Sequence, residues 1–224
     1  MDFIFSSRPP SKIKSIRDSN GWTLFFHLDL LRKYELGRTI ESYSFFNYEV
    51  YEALHLSNEE KKSLTDLIEK IKLEYNRKID RHSEDIIVAN IEMILKYCKR
   101  YYDRQFNTRA HLSKDLIAKF EQLVQAYYNS EKPLEMGVLS VKYCANELSM
   151  SSNYLGDLVK NETGRSAKEH IQDHIIEKAK TKIINSNQTI SEIAYSLGFE
   201  YPQGFNKLFK VKTGKSPTQY RNSD

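Results

Sequence analysis

One pattern is written twice in the C-terminal part of this chain, and a single helical stretch joins the copies. The first copy, VKYCANELSMSSNYLGDLVKNETG, occupies 141–164; the second, ISEIAYSLGFEYPQGFNKLFKVKTG, occupies 190–214. Ala145 aligns with Ala194 at an offset of 49, and Leu155 with Phe205 at an offset of 50. The register therefore slips by one residue at the turn, which makes the second turn one residue longer. Each copy reads as helix, tight turn, helix, and closes on Thr-Gly. Such a repeat commits the region to a mainly α fold in which two helix-turn-helix units are joined by a linker helix. In DNA-binding proteins of this architecture the second helix of the unit enters the major groove.

The bulk composition is compatible with that partner without demanding it. Hydrophobic residues make up 40% of the 224 and charged residues 29%, the profile of a globular chain. The net charge is only +4. The C-terminal unit is more basic: Lys207, Lys210, Lys212, Lys215 and Arg221 face only Glu200 and Asp224, a local balance of +3. Two cysteines, Cys98 and Cys144, are too few for a disulfide framework or a four-cysteine zinc site, and their apolar helical neighbours point to buried, reduced thiols. No run approaches the length of a membrane span, and the N-terminus lacks a signal peptide's basic start and apolar core. The expected location is a reducing cytoplasm, with no membrane partner.

The region before the repeat divides in two. Residues 1–56 carry short β-favouring runs, Asp2-Phe3-Ile4-Phe5 and Trp22-Thr23-Leu24-Phe25-Phe26-His27, separated by the turn residues Pro9-Pro10 and Ser19-Asn20-Gly21. Helical grammar starts at Ser57, which with Glu60 forms a capping box ahead of Leu64, Leu67, Ile68 and Ile71. Ser83 is expected to open a second helix ending near Tyr101-Tyr102, and Ser113 a third through Leu116, Phe120, Val124 and Tyr127. The stretch 131–137, with Pro133 and Gly137, reads as a linker. Capping signals then recur at Ser140, at Ser166 with Glu169 and at Thr189 with Glu192; Gly198 reads as a left-handed helix end, and Pro202 suits the first turn of the last long helix.

In the second copy, Gly198-Phe199, Phe205, Lys207, Phe209-Lys210, Gly214, Ser216-Pro217 and Tyr220-Arg221 resemble the C-terminal signature of the AraC/XylS family of bacterial transcription regulators. In the first copy, Ala145, Leu148, Tyr154-Leu155 and Glu162-Thr163-Gly164 resemble it too. The likeness covers about 140–221 and is looser upstream, around Trp22 to His27, Tyr43-Ser44-Phe45-Phe46 and Tyr101-Tyr102-Asp103-Arg104-Gln105-Phe106. It implies a domain order of 1–56 as a β-rich remnant of a cupin-like sensor, 57–130 as a helical dimerisation segment, 131–137 as linker and 138–224 as the DNA-binding domain. The chain departs from the family at Gly204, where an aromatic residue usually precedes Phe205, at Asp157, where a basic residue suits phosphate better, and in the room it leaves for a barrel. A barrel reduced to its last strands leaves no enclosed pocket, so no small-molecule effector is expected.

The linker helix, 166–185, is long enough to span roughly 30 Å, close to the groove repeat of about 34 Å. On the first recognition helix Leu155, Leu158 and Val159 repeat at core spacing, leaving Ser152, Asn153, Gly156, Asp157 and Lys160 outside. On the second, Phe205, Leu208 and Phe209 face inward, leaving Gln203, Asn206, Lys207 and Lys210 outside. Asn153 and Gln203 suit adenine, Lys207 guanine, and Asp157 the amino group of cytosine. The resemblance places the base-reading positions at Asn153, Gly156 and Asp157, and at Pro202, Gln203 and Lys207. Lys215, Thr218 and Arg221 are candidates for phosphate. An exposed Asn, Gln or Lys on a helix is more often simply solvated; two correctly spaced copies shift the balance toward recognition.

The apolar arc Ile87, Ile91, Ile94 and Leu95 reads as internal core or as a dimer face, and the resemblance favours the dimer. His170 and His174, spaced i, i+4, lack the glutamate of a zinc-protease motif and a third ligand, so no metal is expected. No Walker loop, GxGxxG, GxSxG or paired-carboxylate site stands out, so neither an enzyme nor a cofactor is expected. The reading is a sequence-specific transcription regulator, with double-stranded DNA, RNA polymerase and a second copy as partners. The alternative is a protein-interaction modulator that dimerises with full-length regulators without reading DNA.

Overall fold

The structure, a computed structural model, describes residues 2–3, 22, 24–108 and 110–222. It divides into two compact units, Met1–Arg109 and Ala110–Asp224.

In the first unit, β1 (Asp2–Phe3) pairs antiparallel with β2 (Leu54–His55). Between them lie α1 (Glu35–Thr39) and four 3-10 turns, at Leu28–Leu31, Ile40–Ser42, Ser44–Asn47 and Val50–Glu52. The described residues of 1–56 are mostly short helical turns. Trp22 and residues 24–27 carry no strand, and Phe3 pairs with Leu54 instead; Ile4 and Phe5 lie outside the described residues. Aromatic residues favour strands only where a sheet gives them cross-strand neighbours. Here helices supply the neighbours: Phe45 stacks on Tyr102 at 5.6 Å, and Tyr48 meets the same ring edge-on at 5.1 Å.

The bulk of this unit is a helical pair, α2 (Asn58–Tyr75) against α3 (Ser83–Thr108). Ser57 and Glu60 form the expected reciprocal capping box. At α3 the capping is shifted: Asp80 Oδ1 accepts from the amides of His82 and Ser83, while the Ser83 hydroxyl accepts from the Asp80 amide. Asp80, three residues upstream of the expected Ser83, closes the helix start. The buried Gln105 holds β2 to α3, its Oε1 accepting from His55 N at 2.8 Å and its Nε2 donating to Ala53 O at 3.3 Å. Cys98 is buried and free, its thiol pushed up to about 12 by desolvation.

In the second unit, α4 (Ala110–Tyr128) and α5 (Lys132–Met136) precede the first copy, α6 (Val141–Glu147) and α7 (Ser152–Thr163). The linker helix α8 (Ala167–Asn185) follows, then the second copy, α9 (Ile190–Ser196) and α10 (Pro202–Thr213), and the short α11 (Pro217–Arg221). One hydrophobic core joins all of these helices except α5. Ile171, Ile175, Ile176, Ala179 and Ile183 of α8 join Leu155 and Val159 of α7, Ile193 and Ala194 of α9 and Phe205 and Phe209 of α10.

Phe120, Val124, Tyr127 and Tyr128 of α4 belong to the same core. The compact division therefore falls at 109/110, upstream of the linker expected at 131–137. That stretch is partly helical and is stitched down: Tyr127 Oη donates to Gly137 O at 2.8 Å, and Tyr128 Oη accepts from Leu139 N at 3.2 Å.

Candidate nucleic-acid interface

The two copies share the bonds that close their turns and end their second helices. Their first helices begin at Val141 and Ile190, 49 apart, and their second helices at Ser152 and Pro202, 50 apart. The extra residue sits in the turn, which is 148–151 in one copy and 197–201 in the other. Each turn is closed by the same pair of amide bonds. Ser149 N donates to Asn146 O and Met150 N to Ala145 O; Gly198 N donates to Tyr195 O and Phe199 N to Ala194 O.

Each second helix ends on a left-handed glycine, Gly164 at φ 73° and Gly214 at φ 77°. The preceding threonine closes the end in both. Thr163 Oγ1 reaches Val159 O and accepts from Arg165 N; Thr213 Oγ1 reaches Phe209 O and accepts from Lys215 N. A capping box then starts the following helix, Ser166 with Glu169 and Ser216 with Gln219. These local bonds fix both recognition helices by the same geometry and leave their outer faces clear.

On α7, Leu155, Leu158 and Val159 are buried; Ser152, Asn153, Gly156 and Asp157 are half-buried and Lys160 is exposed. Gly156 has nothing within 4 Å of where a Cβ would stand, so its face is open. On α10, Phe205 and Phe209 are buried while Gln203, Asn206, Lys207 and Lys210 are exposed. The outer faces differ in charge. Asp157 offsets Lys160 on α7, whereas Lys207 and Lys210 add on α10 and Lys215 follows in the next turn. Among the described residues no ion pair engages Lys207, Lys210 or Lys215. Thr218 is exposed on α11.

Two cations counted in the basic balance are committed to the protein. Arg221 Nε donates to Ile183 O at 3.2 Å and Nη2 to Gln188 O at 2.8 Å, so the guanidinium caps the end of α8. These bonds give Arg221 an anchoring role beside the phosphate contact expected of it: α8 ends at Asn185 with carbonyls that need donors. Lys212 Nζ lies 3.0 Å from Asp173 Oδ1.

Sequence reasoning missed Tyr201. It stands where the first copy has Ser151, which caps α7 by accepting from Tyr154 N; α10 has no side-chain cap, and the Tyr201 ring is 65% exposed at the helix entrance. The offset of 50 from a capping serine was the available signal. Gly204 lines a groove of about 440 Å³ with Phe199, Leu208, Leu139 and Ile171.

His170 and His174 are not brought together with a third ligand. His170 Nε2 bonds Thr163 Oγ1 at 2.9 Å and His174 packs on Tyr128, and no group of three His, Cys, Asp or Glu able to hold a metal occurs among the described residues. The proposed dimer face is also displaced. Ile91, Ile94 and Leu95 are 1%, 5% and 3% exposed within their own unit, because the arc faces α2. Ile87, half-buried, lines an apolar cleft of about 630 Å³ with Trp22, Phe25, Tyr75 and Ile79. No helix among the described residues is long and apolar enough to cross a membrane.

Residues 144–223 match the family described as "Helix-turn-helix domain". The chain is 28% identical over 109 residues to the Msm operon regulatory protein of Streptococcus mutans, covering 49% of this chain and 37% of that one. It is 36% identical over 86 residues to the uncharacterized transcriptional regulatory protein YesN of Bacillus subtilis, covering 37% and 23%. The chain thus spans about a third or less of the length of these relatives. Among solved structures, the C-terminal domain of AraT, a response regulator from Geobacillus stearothermophilus, is 27% identical, covers 49% of this chain and 85% of that one, and has a TM-score of 0.44.

Proposed function

We propose that this chain, which belongs to the AraC/XylS helix-turn-helix regulators through residues 144–223, binds duplex DNA sequence-specifically with α7 and α10 in successive major grooves. The observation that carries the proposal is the shared turn and helix-end bonding of the two copies, joined by one core along the 19 residues of α8, a helix about 29 Å long.

In this reading Gln203, Asn206 and Lys207 of α10 and Ser152, Asn153 and Asp157 of α7 meet base edges, while Lys160, Lys210, Lys215 and Thr218 meet phosphate. Tyr201 joins them at the entrance of α10. The DNA-bound chain sits at the bacterial nucleoid, with RNA polymerase as the downstream partner. A homodimer remains part of the proposal, with its surface moved from the buried arc to the apolar cleft of the first unit, where Phe25 and Ile79 are 62% and 73% exposed.

Selection of duplexes from random DNA tests the reading. Lys207→Ala and Gln203→Ala each lose about 1–3 kcal/mol at one position and relax the selected motif there, whereas Lys215→Ala weakens all duplexes alike and lowers the salt slope. An unchanged motif in both base-edge variants overturns the assignment. One observation favours a second reading: the α7 face is neutral and carries Gly156 and Asp157 at its centre. In that reading the chain pairs with full-length regulators without reading DNA itself, and wild-type selection returns no motif.

A further inference from the structure

Asp173 lies on α8, and its two carboxylate oxygens receive one cation from just after the first copy and one from within the second. Arg165, the first residue beyond the Gly164 cap of α7, pairs with Oδ2; Lys212, in the last turn of α10, lies 3.0 Å from Oδ1. Lys212 is 24% exposed and Asp173 34%, so the bridge is only partly screened by solvent. Glu169, one turn earlier on α8, adds a second acid. Its carboxyl is held below the usual range first by its bonds to Ser166 and then by the nearby Lys212 and Arg165.

We infer that Asp173 is a positioning residue for DNA binding: it ties the C-terminal ends of α7 and α10 to the linker helix and fixes the distance and angle at which they meet successive grooves. The inference rests on the two-groove reading above. It has a second consequence. The bridge withdraws Arg165 and Lys212 from the pool of cations free to neutralise phosphate, so the site exchanges non-specific attraction for spacing. Two partly exposed ion pairs together are worth from a few-fold to about tenfold in an equilibrium constant.

The test uses the full chain and three duplexes: the selected one, the same duplex with one base pair inserted between its halves, and a scrambled one. Wild-type protein is expected to prefer the selected spacing. Asp173→Asn should lower that preference by about three- to tenfold while binding the scrambled duplex several-fold more tightly, with a steeper salt dependence because two cations are released. Loss of fold alone weakens all three duplexes together and cannot produce this pattern. Lys212→Gln removes only the α10 arm; it should relax the spacing preference without tightening scrambled binding, and it carries the test should Asp173→Asn not fold. An unchanged spacing preference in folded Asp173→Asn, or in folded Lys212→Gln, overturns the inference. A wild-type protein that selects a motif yet ignores the inserted base pair overturns the two-groove reading itself, and this inference with it.

Discussion

Ser149 and Gly198 stand 49 residues apart at the same point of the two turns, and both have a left-handed backbone, at φ 55° and φ 89°. Among the described residues Ser149 is the sole non-glycine with positive φ. A side chain costs about 1 kcal/mol in that conformation, and the second copy avoids the cost with glycine. Ser149→Gly is therefore expected to stabilise the second unit by about 0.5–1 kcal/mol, read as a higher urea midpoint at unchanged slope.

Gly198 tolerates no such exchange. A Cβ there would meet the carbonyl carbon and oxygen of Gly137 at 2.5 Å, and these are backbone atoms that cannot swing away. Gly198→Ala combines that clash with a positive φ, and a loss of about 3 kcal/mol or more is expected in equilibrium unfolding. A loss below about 1 kcal/mol contradicts the close approach.

Gly156 is the opposite case. Nothing stands within 4 Å of its absent Cβ, and it interrupts α7 at an exposed-face position. Gly156→Ala should raise thermal stability by roughly 1 kcal/mol from helix propensity alone. Titration of the selected duplex then reports whether that face lies against DNA: weaker binding by a more stable protein is the expected result.

Ile91 separates a core role from an interface role. At 1% exposure it packs inside its own unit, and an aspartate there buries an unpaired carboxylate. Ile91→Asp is expected to unfold the first unit, seen as lost helical circular dichroism, and not to yield a folded monomer. Ile79→Glu, at a 73% exposed position in the cleft, should keep the fold and shift sedimentation toward monomer.

His174 makes the second unit sensitive to acid. Its Nε2 is buried without a hydrogen-bond partner among the described residues, and burial first, then the nearby Lys178, holds its pKa below the ordinary value of about 6.5. The unfolded chain thus takes the proton more readily than the folded one. Stability is fully present above pH about 6.5 and falls as pH drops through that value toward the folded pKa. Unfolding at pH 7.5 and 5.5 should show a smaller acid loss in His174→Gln than in wild type.

Much of this fold was legible because its signals are local. Ser57, Ser140, Ser166 and Thr189 cap the helices they precede in sequence, each bonding the amide three residues on, and the one-residue slip between copies lies in the turn. What was not legible depends on distant partners. The buried arc of Ile91 and Ile94 gives the same periodicity whether α2 or a second chain covers it. Gly137 and Gly198 are 61 residues apart, and neither hints at the other. The carbonyl partners of Arg221 were hidden because Ile183 O, at the end of α8, and Gln188 O, in the loop after it, come near only on folding. The recognition faces were legible as faces; the exposed Tyr201 was hidden because an aromatic residue beside Pro202 reads as packing.

The core shared by α4, α8 and both copies has a thermodynamic consequence. Buried residues of both copies meet in one cluster through α8, so the second unit should unfold in one cooperative transition. Whatever grips one end then raises the unfolding free energy of the far end by the same RT ln(1 + [L]/Kd), although the two surfaces never touch. The duplicated half-sites are in this sense one thermodynamic object, with occupancy at either recorded by both.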